Sequence, residues 1–356
     1  LDRKLFIIHR LTGLIAGIML LLISCTGALL VFSDEIDEQL YSQSHYIQPG
    51  NQPLPLSRQF QAVRNANSGN PYIMVVKMPQ ASNETTVFRA EYDAQRKIYC
   101  FVNPYTAQIV DMRGNTDYFM GKVLYFHFEL LSGKTGAQII LVTGILLACS
   151  LLSGIWIYRK SFAKVLSFRL SMEWSNPKRR WRNLHRITGV WSVVFLTIIT
   201  TTGIIMEQKV IASRKGNTKV AEIPANVDYD QLLVQAEQAI PGLEIVGVRP
   251  PKKAGAPIKV LGHAHESSFW GEYASNVSFS IDGKLQKVTD FSKASFADKF
   301  NAAIAPLHFG NFGGIFVKII WSLFGLTPGL LSMSGFLIWY RRRFLVKSKQ
   351  PVPAGI

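Results

Sequence analysis

Seven histidines occur in this 356-residue chain, and four stand at corresponding ends of four long apolar stretches. His9 opens HRLTGLIAGIMLLLISCTGALLVF and His185 opens HRITGVWSVVFLTIITTTGIIM; His127 lies in LYFHFELLSG and His308 in APLHFGNFGG. An ionisable side chain in or beside a bilayer is costly, so four at equivalent places call for a shared task. Two imidazoles facing each other across a helical bundle form the axial pair of a b-type haem, whose chemistry is one-electron transfer. That chemistry needs no general acid, base or nucleophile. Zinc is a poorer match, because two nitrogens without carboxylate or thiolate do not complete its tetrahedron.

The pairing follows from an internal repeat. His9 and His185, Thr12-Gly13 and Thr188-Gly189, and Thr26-Gly27 and Thr202-Gly203 are all separated by 176 positions. His127 and His308, Gly144 and Gly325, and Ser153-Gly154 and Ser334-Gly335 are separated by 181. The offset changes once, between the apolar stretches, where connecting segments tolerate insertion. Each half therefore reads as helix, lobe, helix in one orientation, and a parallel repeat implies a pseudo-twofold axis along the membrane normal. Such an axis carries His9 towards His185 near one face and His127 towards His308 near the other. Two bis-histidine haems stacked across a bilayer would conduct electrons through it. Thr12-Gly13, Gly17, Thr188-Gly189, Gly133, Gly310 and Gly313-Gly314 offer the small residues a macrocycle needs, and Tyr125, Phe126, Phe128, Phe309, Phe312 and Trp191 supply aromatic walls. Arg10 and Arg186 stand where they would pair haem propionates, and equally where topology determinants belong. Gly13 and Gly17, four apart, suit helix packing as well as a cofactor.

These histidines need four membrane helices to hold them. Leu5–Phe32, Ala137–Tyr158, Val190–Met206 and Ile315–Tyr340 approach the 20 or so apolar residues of a span, the third being extended by residues 184–189. Pro328, between Gly325 and Gly329, predicts a kink in the fourth. The first stretch resembles a signal peptide, with Cys25 in a lipoprotein-like box, but its apolar run continues to Phe32, so it is read as a retained helix. Nine Lys/Arg against Glu173 between Arg159 and Arg186, together with Arg3, Lys4, Arg10 and Arg341-Arg342-Arg343, place both termini and the middle loop in the cytoplasm. The expected order is a first transmembrane helix at 1–32, an extracytoplasmic α+β lobe at 33–121, a second helix at 122–159 and a basic loop at 160–183. A third helix at 184–206, a second α+β lobe at 207–300, a fourth helix at 301–340 and a tail at 341–356 complete it.

Within the lobes, 56–66 and 229–239 read as helices. Residues 72–77, 86–92, 97–102, 108–112, 245–248, 258–261, 276–281 and 285–288 read as strands, with hairpin turns at Asn103-Pro104-Tyr105-Thr106 and Asp282-Gly283. The fold class is thus a four-helix membrane bundle from a tandem duplication, carrying two small α+β lobes.

The balance of 39 Lys/Arg against 23 Asp/Glu, a formal charge of +16, first suggests nucleic acid. The basic residues flank apolar runs instead, which is the signature of membrane topology. Cys25 and Cys149 lie in spans, leaving Cys100 alone in a lobe, and no CxxCH exists for covalent haem attachment. No GxGxxG after a strand and no Walker loop occur, so neither nicotinamide nor flavin has a motif here; a cytoplasmic donor or the quinone pool must supply electrons. His263-Ala264-His265-Glu266 offers two histidines to one strand face for a metal, or is an exposed loop cluster, with Trp270 and Tyr273 as a rim; His45 has no context.

The paired HRLTGLIAG and HRITGVWSV, the endings SGIWIYR and SGFLIWYR, and the turn VNPYTAQIV resemble the PepSY-associated transmembrane family over essentially the whole chain. The likeness is greatest to its iron-regulated inner-membrane members of the ferrioxamine-reductase type. The turn Ile281-Asp282-Gly283-Lys284 departs from the Asn-Pro form. The resemblance implies a bacterial inner-membrane enzyme that reduces ferric siderophores, ferrioxamine-like ones among them, in the periplasm. His9 and His185 would bind one haem iron, and His127 and His308 the other. A PepSY-type sensor or protease-regulating module without redox activity, and a haem-transfer protein, are the alternatives.

Overall fold

The structure, a computed structural model, describes residues 2–213 and 227–345; residues 214–226 of the second expected lobe and 346–356 of the expected tail lie outside the described residues. In chain order the helices are α1 (Asp2–Leu30), α2 (Ser33–Leu40), α3 (Ser42–His45), α4 (Leu56–Ala66), α5 (Phe119–Glu129) and α6 (Gly133–Tyr158). They continue with α7 (Phe162–Leu166), α8 (Pro177–Ser213), α9 (Tyr229–Ala239), α10 (Phe296–Phe309), α11 (Gly314–Gly325) and α12 (Thr327–Tyr340). The strands are β1 (Tyr72–Lys77), β2 (Thr86–Glu91), β3 (Lys97–Val102), β4 (Ile109–Gly114), β5 (Glu244–Arg249), β6 (Ile258–His263), β7 (Ser275–Phe279) and β8 (Leu285–Thr289). Two compact units result: Leu1–Val31 with Phe126–Lys209 and Ile315–Ile356, and Phe32–Tyr125 with Val210–Gly314.

In the first unit, Asp2–Leu30, Gly133–Tyr158, Arg179–Ser213 and Gly314–Phe344 are long and apolar enough to cross a membrane. The third is longer than the apolar count suggests, because α8 absorbs the basic residues before His185 into the same helix. α1 packs against both α6 and α12. Close approach there rests on small residues: a Cβ on Gly329 would strike Ser24 Oγ, and one on Gly325 would touch Ala28 at 3.8 Å. The kink expected at Pro328 is a break between α11 and α12, with the proline in the first turn of the new helix, where its missing N–H costs nothing.

Neither 122–159 nor 301–340 is one helix. α5 stops at Glu129, Leu130 and Leu131 take left-handed φ values of 51° and 54°, and α6 starts at Gly133. Gly136 lies so close to the Glu129 carbonyl that no Cβ fits between them. α10 likewise stops at Phe309, where Gly310 (φ 70°) donates its N–H to the Pro306 carbonyl at 2.8 Å. His127 and His308 therefore stand in the last turns of short helices that precede the spans.

The second unit holds one antiparallel sheet of order β4-β3-β2-β1-β5-β6-β7-β8. The strands fall where alternation predicts them, but the two expected lobes share this sheet through β1 and β5, with Val75 opposite Val248 and Met78 N–H donating to the Val246 carbonyl at 2.8 Å. Helices α4 and α9 cover one face, where Ile73, Val75, Phe88, Ala90, Cys100, Val248, Val260, Val277 and Phe279 form the core. Phe60 of α4 stacks on Tyr229 of α9 at 4.5 Å. Pro55 offers α4 no side-chain cap, and the Asp230 carboxylate replaces it, accepting from Leu56 N–H at 3.0 Å. The two halves are thus joined on the helical layer as well.

On the opposite face, Met74, Arg89, Tyr99 and Arg113 form one cross-strand row. Beside it Glu91 receives Arg89 at 2.8 Å and Lys252 at 3.0 Å. Burial alone would raise the Glu91 carboxyl, but the two cations override it and hold the group below the usual 4.5. A depressed carboxylate adds stability that is complete above its unfolded value and disappears as pH falls through the folded one. Thermal melts of the sheet unit within the full chain are therefore expected to lose temperature below about pH 4.5, and Glu91→Gln to flatten that dependence. Identical acid slopes in the two proteins would refute this role.

Candidate functional site

The structure brings His9 and His185 together. α1 and α8 each present their histidine at the same end of the membrane unit, with ring centroids 6.0 Å apart and planes at 83°. Two imidazole–metal bonds of about 2.0–2.1 Å, plus ~1.1 Å from nitrogen to ring centre on each side, would set such rings about 6.3 Å apart. The observed spacing already suits a shared iron.

Each ring is held by its Nδ1. His9 Nδ1 lies 2.8 Å from the Ser150 carbonyl and 3.4 Å from Ser153 Oγ. His185 Nδ1 lies 2.9 Å from Ser334 Oγ. Nε2 is the nitrogen left for a metal, the usual division of labour in a ligating histidine. Glycines lie against both rings: a Cβ on Gly154 would stand 3.1 Å from His9 Cε1, and one on Gly335 3.5 Å from His185 Cε1.

Around the pair lies a cavity of about 360 Å³, bounded by Gly13, Gly154, Gly189 and Gly335 among apolar side chains. Arg10, Arg186, Arg342 and Arg343 also line it. Arg186 stacks over Tyr158 at 5.5 Å, and its Nε is buried without a hydrogen-bond partner. An orphaned guanidinium donor of this kind has room for an anionic group. The donor set, the glycine cradle and the arginines fit a bis-histidine haem with its propionates.

His127 is held in the same manner, with Nδ1 3.0 Å from Thr26 Oγ1 and its ring against Gly27, where a Cβ would stand 2.9 Å from Cε1. His308, in the second unit, pairs edge-on with Phe309 at 6.0 Å. These facts identify the motif, an imidazole set against glycine with Nδ1 on an oxygen.

A family model of the PepSY-associated TM region matches residues 6–342. The chain belongs to the PepSY-associated transmembrane family. No curated protein matches it. It is a multi-pass membrane protein with four apolar helices and a separate antiparallel sheet region.

Other residues singled out in this PepSY-associated protein fare differently. Gly17 faces Ser332 at 4.0 Å and serves helix packing. Trp191 packs on Phe168 at 5.7 Å. His263 reaches Glu244 at 3.5 Å and Glu266 turns to Ser275 Oγ at 2.7 Å, and no metal-holding group of three ligands occurs among the described residues. His45, without context in the sequence, meets Asp37 at 2.9 Å beside Arg113. Ser150, Ser153, Ser334 and Thr26 were not expected at the site. Three of these four already marked the repeat, so their invariance between the halves was the available signal. The Ser150 carbonyl is backbone and carries no residue code.

Proposed function

We propose that this protein is a di-haem electron-transfer protein of the bacterial inner membrane, with both termini cytoplasmic, that reduces ferric siderophores on the far side. The observation that supports it most is the His9–His185 pair, 6.0 Å apart beside a glycine-lined cavity that carries arginines. Nε2 of His9 and of His185 would bind the iron. Arg10 and Arg186 would face the propionates, and the apolar helices would keep water from the site. By the sequence repeat, with its 176 and 181 offsets, His127 and His308 would hold a second haem. Bound haem supplies a reversible one-electron ferric–ferrous couple. One electron delivered to a ferric siderophore converts its iron to ferrous, which hard-oxygen chelators hold far less tightly, and the metal is released. The donor is a separate cytoplasmic protein or the quinone pool.

The test is the visible spectrum of the full chain in mild detergent, oxidised and dithionite-reduced, followed by mixing the reduced protein with ferric ferrioxamine and a ferrous trap. Sharp α and β bands that reoxidise as ferrous iron appears are expected. A colourless protein that takes up no added haem would overturn the proposal in favour of a sensor or protease-regulating module. Haem that stays reduced in the presence of the chelate would favour haem transfer.

A further inference from the structure

Two hydroxyls in the membrane unit are placed so that they can accept from histidine. Thr26 Oγ1 donates its single proton back to the Leu22 carbonyl at 3.0 Å and the Ile23 carbonyl at 3.1 Å. Its lone pairs then face His127 Nδ1 at 3.0 Å. Ser334 Oγ donates to the Leu331 carbonyl at 3.1 Å, and its lone pairs face His185 Nδ1 at 2.9 Å. A hydroxyl has one proton, and when a helix carbonyl takes it the proton in each contact comes from the imidazole. His9 reaches the same state by another route, since the Ser150 carbonyl at 2.8 Å can only accept. All three rings can therefore hold hydrogen on Nδ1, the tautomer in which Nε2 is the ligating nitrogen.

We infer that Thr26 and Ser334 are positioning residues that fix the Nδ1–H tautomer of His127 and His185 and raise the electron donation of Nε2 to iron. The inference rests on the haem reading above. A neutral histidine free to choose would spend part of its time with the proton on Nε2, where it cannot ligate. Hydrogen bonding from Nδ1–H also makes the ring more basic, which favours ferric over ferrous iron. Glycine completes the device: Gly27 and Gly335 lie against the rings, so each imidazole can approach its hydroxyl without a Cβ between.

The experiment is a potentiometric titration with low-temperature electron paramagnetic resonance on the full chain in detergent, comparing wild type, Thr26→Val, Thr26→Ser, Ser334→Ala and Ser334→Thr. Valine keeps the shape of threonine and removes the acceptor. Thr26→Val is expected to shift one haem component to higher potential, by a change of about tenfold in ferric-over-ferrous preference, equivalent to about 59 mV for one electron. The other component should not move, which shows that the bundle is intact. Ser334→Ala should shift the opposite component, and Thr26→Ser and Ser334→Thr should return each to its wild-type value. Loss of one haem in Thr26→Val that Thr26→Ser restores also supports the lock; loss that Thr26→Ser does not restore overturns it. Fully loaded variants with unmoved potentials overturn the lock and leave the proposed function standing. A wild-type protein without haem removes both.

Discussion

His9→Ala and His185→Ala are each expected to remove haem from the arginine-lined cavity and to slow reduction of an external ferric chelate by at least about 100-fold. Disturbing an outer partner of a ligand already costs 10–100-fold in metal affinity, and deleting the ligand itself removes the bond. The two rings stand 6.0 Å apart with Nδ1 of each engaged, so no second nitrogen can swing in as a substitute. His9→Ala also removes one donor from the Ser150 carbonyl, which keeps Ser153 Oγ at 3.1 Å. Imidazole added to the His9→Ala protein fits the vacated volume and should restore part of the spectrum. Haem content measured by pyridine haemochrome before and after imidazole checks both steps. Full haem content in both alanine variants would eliminate these residues as ligands.

The second large effect is structural. Gly136→Ala is expected to destabilise the membrane unit by about 3 kcal/mol, the upper range for overpacking, because the new Cβ meets the Glu129 carbonyl and backbone cannot rotate away. Gly144→Ala is the informative companion, since its Cβ would meet only Ile204 Cγ1 at 3.1 Å, a side chain able to shift. Thermal unfolding in one detergent should separate the two variants clearly, with Gly144→Ala near wild type. The Glu129–Gly136 contact also holds the left-handed pair Leu130 and Leu131 that turns the chain between His127 and α6. Gly136→Ala should therefore loosen His127 together with the fold. Equal melting of the two variants would show that the break tolerates a side chain.

Much of this arrangement is legible from the residues because it depends on local pattern. Apolar run length marks the four spans, and two-residue alternation locates the strands of the sheet region almost to the residue, as at Tyr72–Lys77 and Lys97–Val102. Matching HRLTG and HRITG was enough to bring His9 to His185. Other features rest on information that single residues do not carry. Leucine disfavours left-handed φ, so nothing in Leu130-Leu131 announces a helix break; the packing of Gly136 imposes it. The union of the lobes depends on β1 and β5 meeting edge to edge, and an edge has no side-chain signature of its own partner. The oxygens that hold the histidines were hidden for a related reason. One is a carbonyl, and the hydroxyls read as spacing marks until geometry put them against Nδ1.

The seam between β1 and β5 also sets a schedule for biogenesis. Strands β1 to β4 leave the ribosome first, yet the neighbour of β1 begins at Glu244, some 172 residues after Tyr72, with α6 and most of α8 still to be inserted. At 5–20 residues per second that is a wait of roughly 10–30 s. Throughout it the nascent half-sheet offers an unpaired, β-branched border to any other extended chain. A product cut off before Glu244 would keep that border permanently, so premature termination here creates an adhesive fragment as well as an inactive one, and quality control has a reason to clear it quickly.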